Sequence, residues 1–412
     1  MKYKTYQLQE VCSFIDYRGK TPPKTTEGIP LVTAKIVKNG MIQKPQEFIA
    51  EDFFDEWMRR GIPKKGSVIF TTEAPLGEVA RIQTDEKLAF AQRIIIMEPD
   101  TDVLDADYLF YALQDITLKS RIQARATGTT VIGIKSAELK KVLIDLPTLN
   151  VQKKIASVLS AFDDKITLNQ QINDNLEQQA QAIFKSWFVD FEPFNGTMPF
   201  DWEIGSLEEI VDFQNGYAFK SKELLSEPSE NCYQVFKQGH IARGGGFIPD
   251  GTKSWYPKSL TSKLEKFVLK KGDILMAMTD MKDNVAILGN TAIMPLDNEY
   301  ILNQRVGHLR ANGYKGITYP YIYLLTNSTD FLVDLRSRAH SGVQVNLSSA
   351  EIKTSKTVLP SEIVNKAFSK ITLPMFEAII SNQLENKRLV QLRDVLLPKL
   401  MSGELDISNI DL

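Results

Sequence analysis

The residues best suited to proton transfer or metal binding do not sit at working spacings. His240, His308 and His340 are scattered, with no H-x-x-x-H or H-E-x-x-H run, so the pattern builds no metal site. Cys12 and Cys232 lie far apart, which excludes a disulfide framework and a Cys-based zinc site and fits a reducing cytoplasm. The stretch from Gly246 to Ser254 resembles a phosphate loop, but Thr252 separates Gly251 from Lys253, so an ordinary surface turn is the better reading. An amino-methyltransferase needs a glycine-rich cofactor loop and an Asn-Pro-Pro-Phe motif. The nearest string, Asp190-Phe191-Glu192-Pro193-Phe194, lacks the amide and one proline. Catalysis by this chain is not expected, and neither is a bound cofactor.

The elements that remain are those of a large binding protein. A chain of 412 residues exceeds what one hydrophobic core serves, so two or more domains are expected. With 43% hydrophobic and 24% charged residues it reads as an ordinary globular chain. The segment MKYKTYQLQE lacks an apolar core and no run approaches 18 apolar residues, so neither secretion nor membrane spanning is expected. A net charge of −2 counts against a free-standing nucleic-acid binder, because phosphate contacts dominate such affinity. Basic residues clustered on one face, or a partner that supplies part of the clamp, would meet that objection.

The chain is written twice. A shift of 213 residues lays Tyr108 on Tyr321, Arg125-Ala126 on Arg338-Ala339, Ser136-Ala137-Glu138 on Ser349-Ala350-Glu351, and Leu146-Pro147 on Leu359-Pro360. With small gaps, Lys64–Ile69 resembles Lys270–Leu275, and Ala91-Gln92-Arg93 resembles Asn303-Gln304-Arg305. The period is that of a whole domain plus a helix, not of a solenoid.

Residues 151–188 and 364–401 agree best and carry helical periodicity. Ile155, Leu159, Phe162, Ile166, Asn169, Asn173, Leu176, Ala180, Ile183 and Trp187 advance by fours and threes, a heptad seam. Phe368, Thr372, Met375, Ile379, Asn382, Asn386, Leu389, Arg393, Leu396 and Leu400 repeat it. Pro374 should kink or restart the second helix. Thirty-eight helical residues reach about 57 Å, a good spacer. Two asparagines sit mid-seam in each copy; facing one another they would fix register at a cost in stability, while an imperfect heptad would turn them to solvent.

The intervening segments read as mixed α/β, with short β-rich runs at Ser67–Thr71, Arg93–Met97 and Asp273–Met278. A helix follows in each half, Asp107–Arg125 and Pro320–Arg338. The first ends in Lys119, Arg121 and Arg125, the second in Arg336 and Arg338. Such cations complement the helix dipole; beside the polar loops Thr127–Thr130 and Ser341–Gln344 they also suit phosphate contact.

The phrases "DYRGKTP", "TTEAPLGEV", "ATGTTVIGIKSAELKKV", "LPTLNVQKKIASVLSAFDDKITLNQQINDNLEQQAQAIFKSWFVDF", "NGYAFKS" and "NKRLVQLRDVLLPKLMSGEL" resemble the specificity subunits of type I restriction–modification systems. The resemblance covers nearly the whole chain. It implies an α+β protein with two target-recognition domains, residues 1–148 and 193–360, related by a pseudo-two-fold. Two antiparallel coiled-coil helices, within 149–192 and 361–412, separate and join them. Each domain would read half of an interrupted double-stranded DNA site. Two methyltransferase subunits and the restriction–translocase subunits would dock on the assembly and carry S-adenosylmethionine, ATP and magnesium. Half-sites about 34 Å apart suit two similar units on a rigid rod.

Readers must offer amide, guanidinium or hydroxyl groups to base edges. In the first half the candidates are Arg18, Lys20, Thr21, Lys35, Thr72, Gln92, Arg93, Thr129 and Thr130, with Arg125 at the helix end. In the second they are Tyr217, Lys220, Gln238, His240, Thr279, Asp280, Gln304, Arg305, Gln344 and Asn346, with Arg338 at the helix end. Gln92-Arg93 and Gln304-Arg305 rank above the others because they recur. The competing readings are a recognition subunit whose partner fuses nuclease to methyltransferase, and a coiled-coil scaffold without DNA specificity. A cytoplasmic location is expected.

Overall fold

The computed structural model describes residues 2–17, 21–249, 251–281, 285–341 and 344–410. They form two compact units, residues 1–167 with 387–412, and residues 168–386.

The first unit is built on an antiparallel four-stranded sheet in the order Cys12–Asp16, Ile94–Pro99, Val68–Thr72, Leu76–Arg81. Ile94, Ile95, Ile96 and Met97 are all buried, because this central strand is covered on both faces. Ile95 and Met97 join Val68, Phe70 and Tyr108 in one core, while Ile94 and Ile96 join Ile69, Ala80 and Phe90 in another. A three-stranded sheet orders Phe48–Ile49, Ile29–Val32 and Ala89–Phe90, the last two parallel, and Lys4–Gln7 pairs with Leu143–Leu146.

The second unit repeats these three sheets in the same order, though not the first unit's short pair Val37–Lys38 with Met41–Ile42. Val211–Asn215, Val306–Ala311, Ile274–Ala277 and Thr291–Ile293 form the four-stranded one. Trp255–Pro257, Cys232–Phe236 and Tyr300–Leu302 form the three-stranded one, again with a parallel pair, and Glu203–Ser206 pairs with Lys356–Leu359. An additional sheet orders Thr279–Met281, Gln344–Asn346 and His340–Ser341.

One buried acid organises the second unit. The Asp273 carboxylate, 2% exposed, accepts hydrogen bonds from Arg310 Nε and Nη2 at 2.8 Å each and from the Lys270 N–H at 2.8 Å. His308 Nε2 lies 3.1 Å away.

The helix expected over Asp107–Arg125 is two helices, Ala106–Ala112 and Ile116–Gln123. Asp115 divides them: its backbone is extended and its carboxylate accepts from the Thr117 N–H at 2.9 Å, capping the second helix. Ser328 divides the second-half counterpart, which becomes Tyr319–Thr326 and Thr329–Ser337.

The long helices are Leu149–Phe188 and Glu362–Ser402. In the first unit, Ile155 and Leu159 from the start of one share a core with Leu397 and Leu400 from the end of the other. In the second unit, Ala180 and Phe184 share a core with Phe368, Phe376 and Ile379. Early residues of one helix therefore meet late residues of the other, and the pair is antiparallel. Asn169 Nδ2 donates to Asn386 Oδ1 and to Glu385 Oε2, both at 2.8 Å, and Asn382 Nδ2 donates to Asn173 Oδ1 at 2.9 Å. Asn169 and Ile379 are buried; Phe162, Ile166, Asn173, Leu176, Met375, Asn382, Asn386 and Leu389 are half-buried. Pro374 does not restart the second helix, which continues through it; Thr372, Phe376, Ile379 and Ile380, all buried, anchor both flanks.

Helicity stops at Ser402 and the chain then turns back. Ile407 is buried in the first unit's core, and the Lys154 ammonium donates to the Ser408 and Ile410 carbonyls at 2.9 and 2.7 Å. The Tyr3 hydroxyl donates to the Met401 carbonyl at 3.1 Å.

Candidate nucleic-acid interface

Both units carry the same construction at one end of the four-stranded sheet. In the first, Thr72 ends a central strand; its N–H donates to the Arg93 carbonyl at 2.9 Å, and its carbonyl accepts the Ile134 N–H at 3.0 Å. In the second, the Met278 N–H donates to the Arg305 carbonyl at 3.2 Å, and the Met278 carbonyl accepts the Leu347 N–H at 2.9 Å. In each unit, three segments meet in register: the strand end, a Gln-Arg turn, and the loop that follows the basic helix.

In the first unit, Thr72, Glu73, Gln92, Arg93, Thr127 and Lys135 line much of a shallow open groove of about 340 Å³. Thr127 and Gly133 exchange backbone hydrogen bonds across the loop bearing Thr129 and Thr130, at 2.8 and 3.0 Å. Gly128 is required in that turn: its φ is +127°, and a Cβ there would stand 2.0 Å from the Val131 carbonyl oxygen. Thr129, Thr130, Val131 and Ile132 are exposed.

In the second unit, Thr279 and Asp280 lie opposite Asn346 and Val345, with Gln344 opposite Met281. The Gln238 amide donates to the Thr279 carbonyl, and the Gln304 N–H donates to the Tyr217 carbonyl at 2.9 Å. The structure thus brings Tyr217, Gln238, Thr279, Asp280, Gln304, Arg305, Gln344 and Asn346 to one edge.

Several candidates are corrected. Thr72 is 2% exposed and His240 0%; both are buried, although Thr72 borders the groove. The His240 ring stacks on Phe236 and Phe247 in the core, and its Nδ1 accepts the Lys237 N–H at 3.1 Å. Arg125 pairs with Glu138 at 2.8 Å, and Arg338 with Asp334 at 2.6 Å, so both guanidinium groups brace their own domain. Lys141 and Arg125 together hold the Glu138 carboxyl below its ordinary pKa. Asp280 is a turn residue whose Oδ2 accepts the N–H groups of Ala286, Ile287 and Leu288, at 2.7, 2.6 and 3.1 Å. The Tyr217 ring is wedged between Phe219 and Phe267.

Arg93, with φ +72°, is held by Glu73, Nε to Oε1 at 2.9 Å. Thr21, Lys35, Thr129, Thr130, Lys220, Gln304 and Arg305 are exposed. No contact among the described residues ties Thr21 to the groove, whereas Lys35 follows Val32, whose carbonyl accepts the Ala91 N–H at 2.9 Å. Arg18, Lys20, Gly342 and Val343 lie outside the described residues. Sequence reasoning missed Glu73, Lys135 and Met281; the first was legible as the residue after the strand end. Among the described residues no group of three or more His, Cys, Asp or Glu side chains is placed to hold a metal ion.

This architecture, a duplicated mixed α/β domain with a polar edge on each copy and paired long helices, is that of a two-headed recognition protein. The family profile "Type I restriction modification DNA specificity domain" matches residues 1–178 and 199–392. The chain belongs to that family, the DNA specificity subunits of type I restriction–modification systems. It is similar to the type I restriction enzyme MjaIX specificity subunit of Methanocaldococcus jannaschii, 27% identical over 99% of this chain and 95% of that protein. It also resembles the HindI specificity subunit of Haemophilus influenzae, 25% identical over 83% and 87% of the two chains. The crystal structure of a type I restriction–modification S subunit from M. genitalium shares the fold, with a TM-score of 0.58 and 20% identity over 97% of this chain and 96% of that one.

Proposed function

We propose that each domain reads one half of an interrupted DNA site and that this chain delivers partner enzymes to it. The observation that carries the reading is the duplicated edge. Identical backbone bonds hold a Gln-Arg turn against a loop in both domains, while the side chains displayed there differ. One frame with two faces suits two different DNA words. The first long helix is unbroken from Leu149 to Phe188 and is the spacer in this reading.

The chain contributes recognition and no chemistry. An adenine methyltransferase, in two copies, and restriction–translocase subunits would bring S-adenosylmethionine, ATP and magnesium. Such a complex works in the cytoplasm, and no helix among the described residues is long and apolar enough to cross a membrane. The near-neutral charge implies that the partners supply part of the clamp on the phosphate backbone.

The test is co-expression with a type I methyltransferase subunit that assembles with it, in a host without DNA methylation, followed by long-read sequencing for modified adenine. One interrupted motif with two unrelated halves is expected. Absence of modification with a folded, cofactor-loaded partner overturns the reading in favour of a scaffold.

A further inference from the structure

We propose that Arg305 reads a guanine in the half-site of the second domain, and that the residue after the strand end decides whether this arginine is available. The inference rests on the DNA-reading function proposed above.

The equivalent bonds from Thr72 to Arg93 and from Met278 to Arg305 align the two edges residue by residue. Glu73 follows Thr72, and Thr279 follows Met278. In the first domain the carboxylate of Glu73 takes Arg93 Nε at 2.9 Å, so the guanidinium is already oriented and its charge balanced. In the second domain the same place holds a neutral threonine. Arg305 is exposed and its side chain makes no ion pair or hydrogen bond among the described residues.

The nearest acid in that ladder is already committed. Asp280 Oδ1 accepts the Met281 N–H at 2.8 Å, and its Oδ2 accepts three further backbone N–H groups. A carboxylate so occupied closes its own turn instead of drawing in a guanidinium. Gln304, Thr279, Gln344 and Asn346, which share that edge, are polar and uncharged.

A guanidinium without an internal partner presents a rigid fork of donors, and guanine O6 and N7 are the matching pair of major-groove acceptors. A phosphate contact is the other use of such a group, and it leaves a different signature.

The experiment uses the full chain complexed with its methyltransferase, on duplexes in which each base pair of the methylated motif is replaced in turn. Arg305→Lys keeps the charge and loses the fork. It is expected to lower discrimination about tenfold or more at a single G·C pair in one half-site, leaving the other half-site unchanged. Placing 7-deazaguanine at that pair is expected to weaken wild-type binding by a similar factor and to leave Arg305→Lys unaffected. Thr279→Glu is expected to reproduce the loss by engaging Arg305 internally.

Uniform weakening at all positions with a shallower salt dependence means a phosphate contact and overturns the proposal. So does an unchanged profile, or an affected half-site without a G·C pair. A wild-type complex without sequence preference fails earlier, and refutes the DNA-reading function itself.

Discussion

Replacing Asp273 by asparagine removes the charge that gathers Arg310, His308 and the Lys270 N–H. An asparagine keeps one acceptor oxygen but turns an amino group toward a guanidinium. Breaking a fully buried pair costs about 3–5 kcal/mol. The Arg310 side chain is 43% exposed, so water recovers part of its solvation. The expected loss is about 2–3 kcal/mol at pH 7. Its pH dependence is the sharper test. Burial pushes the Asp273 carboxyl up, but His308, Arg310 and the Lys270 N–H outweigh burial and hold it below its ordinary value. A depressed folded pKa gives stability that is present above the unfolded value, about 3.9, and lost as pH falls through the folded one. Wild type should therefore exceed Asp273→Asn from pH 7 to about pH 4, with the two converging below. Urea unfolding followed by tryptophan fluorescence reads this, because Trp187, Trp202 and Trp255 lie in the second unit and Trp57 alone lies in the first. A Trp57→Phe background confines the signal. A gap that persists unchanged to about pH 2.5, or a loss under about 0.5 kcal/mol at pH 7, refutes the reasoning.

Three further outcomes are expected. Asn169→Leu should cost the second unit about 1–2 kcal/mol, because Asn386 loses that donor; adding Asn386→Leu should recover most of it, and simple additivity in urea unfolding would count against the pairing. Burial raises the Glu177 carboxyl against the opposing hydrogen bonds from Tyr323 and Gln181, so the fold disfavours its ionised form. Glu177→Gln should therefore leave Tm at pH 8 unchanged or higher, and a drop of more than about 4 °C in calorimetry would contradict this. Without partners, the chain should bind DNA weakly, with a shallow salt slope by fluorescence anisotropy between 50 and 200 mM salt; tight binding that falls steeply would disprove partner clamping.

The repeat made much of this structure legible. A shift of 213 residues is a statement about backbone, and the three sheets recur strand for strand. The helical seam was equally plain, since a sustained 3.5-residue period is what a helix must carry to bury one stripe along its whole length. What stayed hidden depends on how turns and caps fold nearby residues together. Arg125 reads as a free cation until Glu138 is brought across a turn, and His240 reads as a polar loop residue until Phe236 and Phe247 enclose it. Asp115 caps the next helix with its carboxylate and the Ser328 hydroxyl donates to the Leu325 carbonyl, local bonds that compete with propagation and are outweighed in the sequence by the apolar periodicity around them. At the candidate edge, nothing in "QR" written twice says that one arginine is paired with Glu73 and the other is free of such a pair.

The return of the chain after Ser402 has a consequence for synthesis. Leu397, Leu400 and Ile407 complete the core that Leu8, Tyr108 and Leu159 begin, so the first domain is finished only after the second has been translated. At about 5–20 residues per second, roughly 10–50 seconds separate Leu159 from Leu400 on the ribosome. For that interval the nascent first domain waits with an apolar flank uncovered, and the second unit's cores close with Ile379, before Leu397 is made. The second domain can therefore complete its cores before the first completes its own.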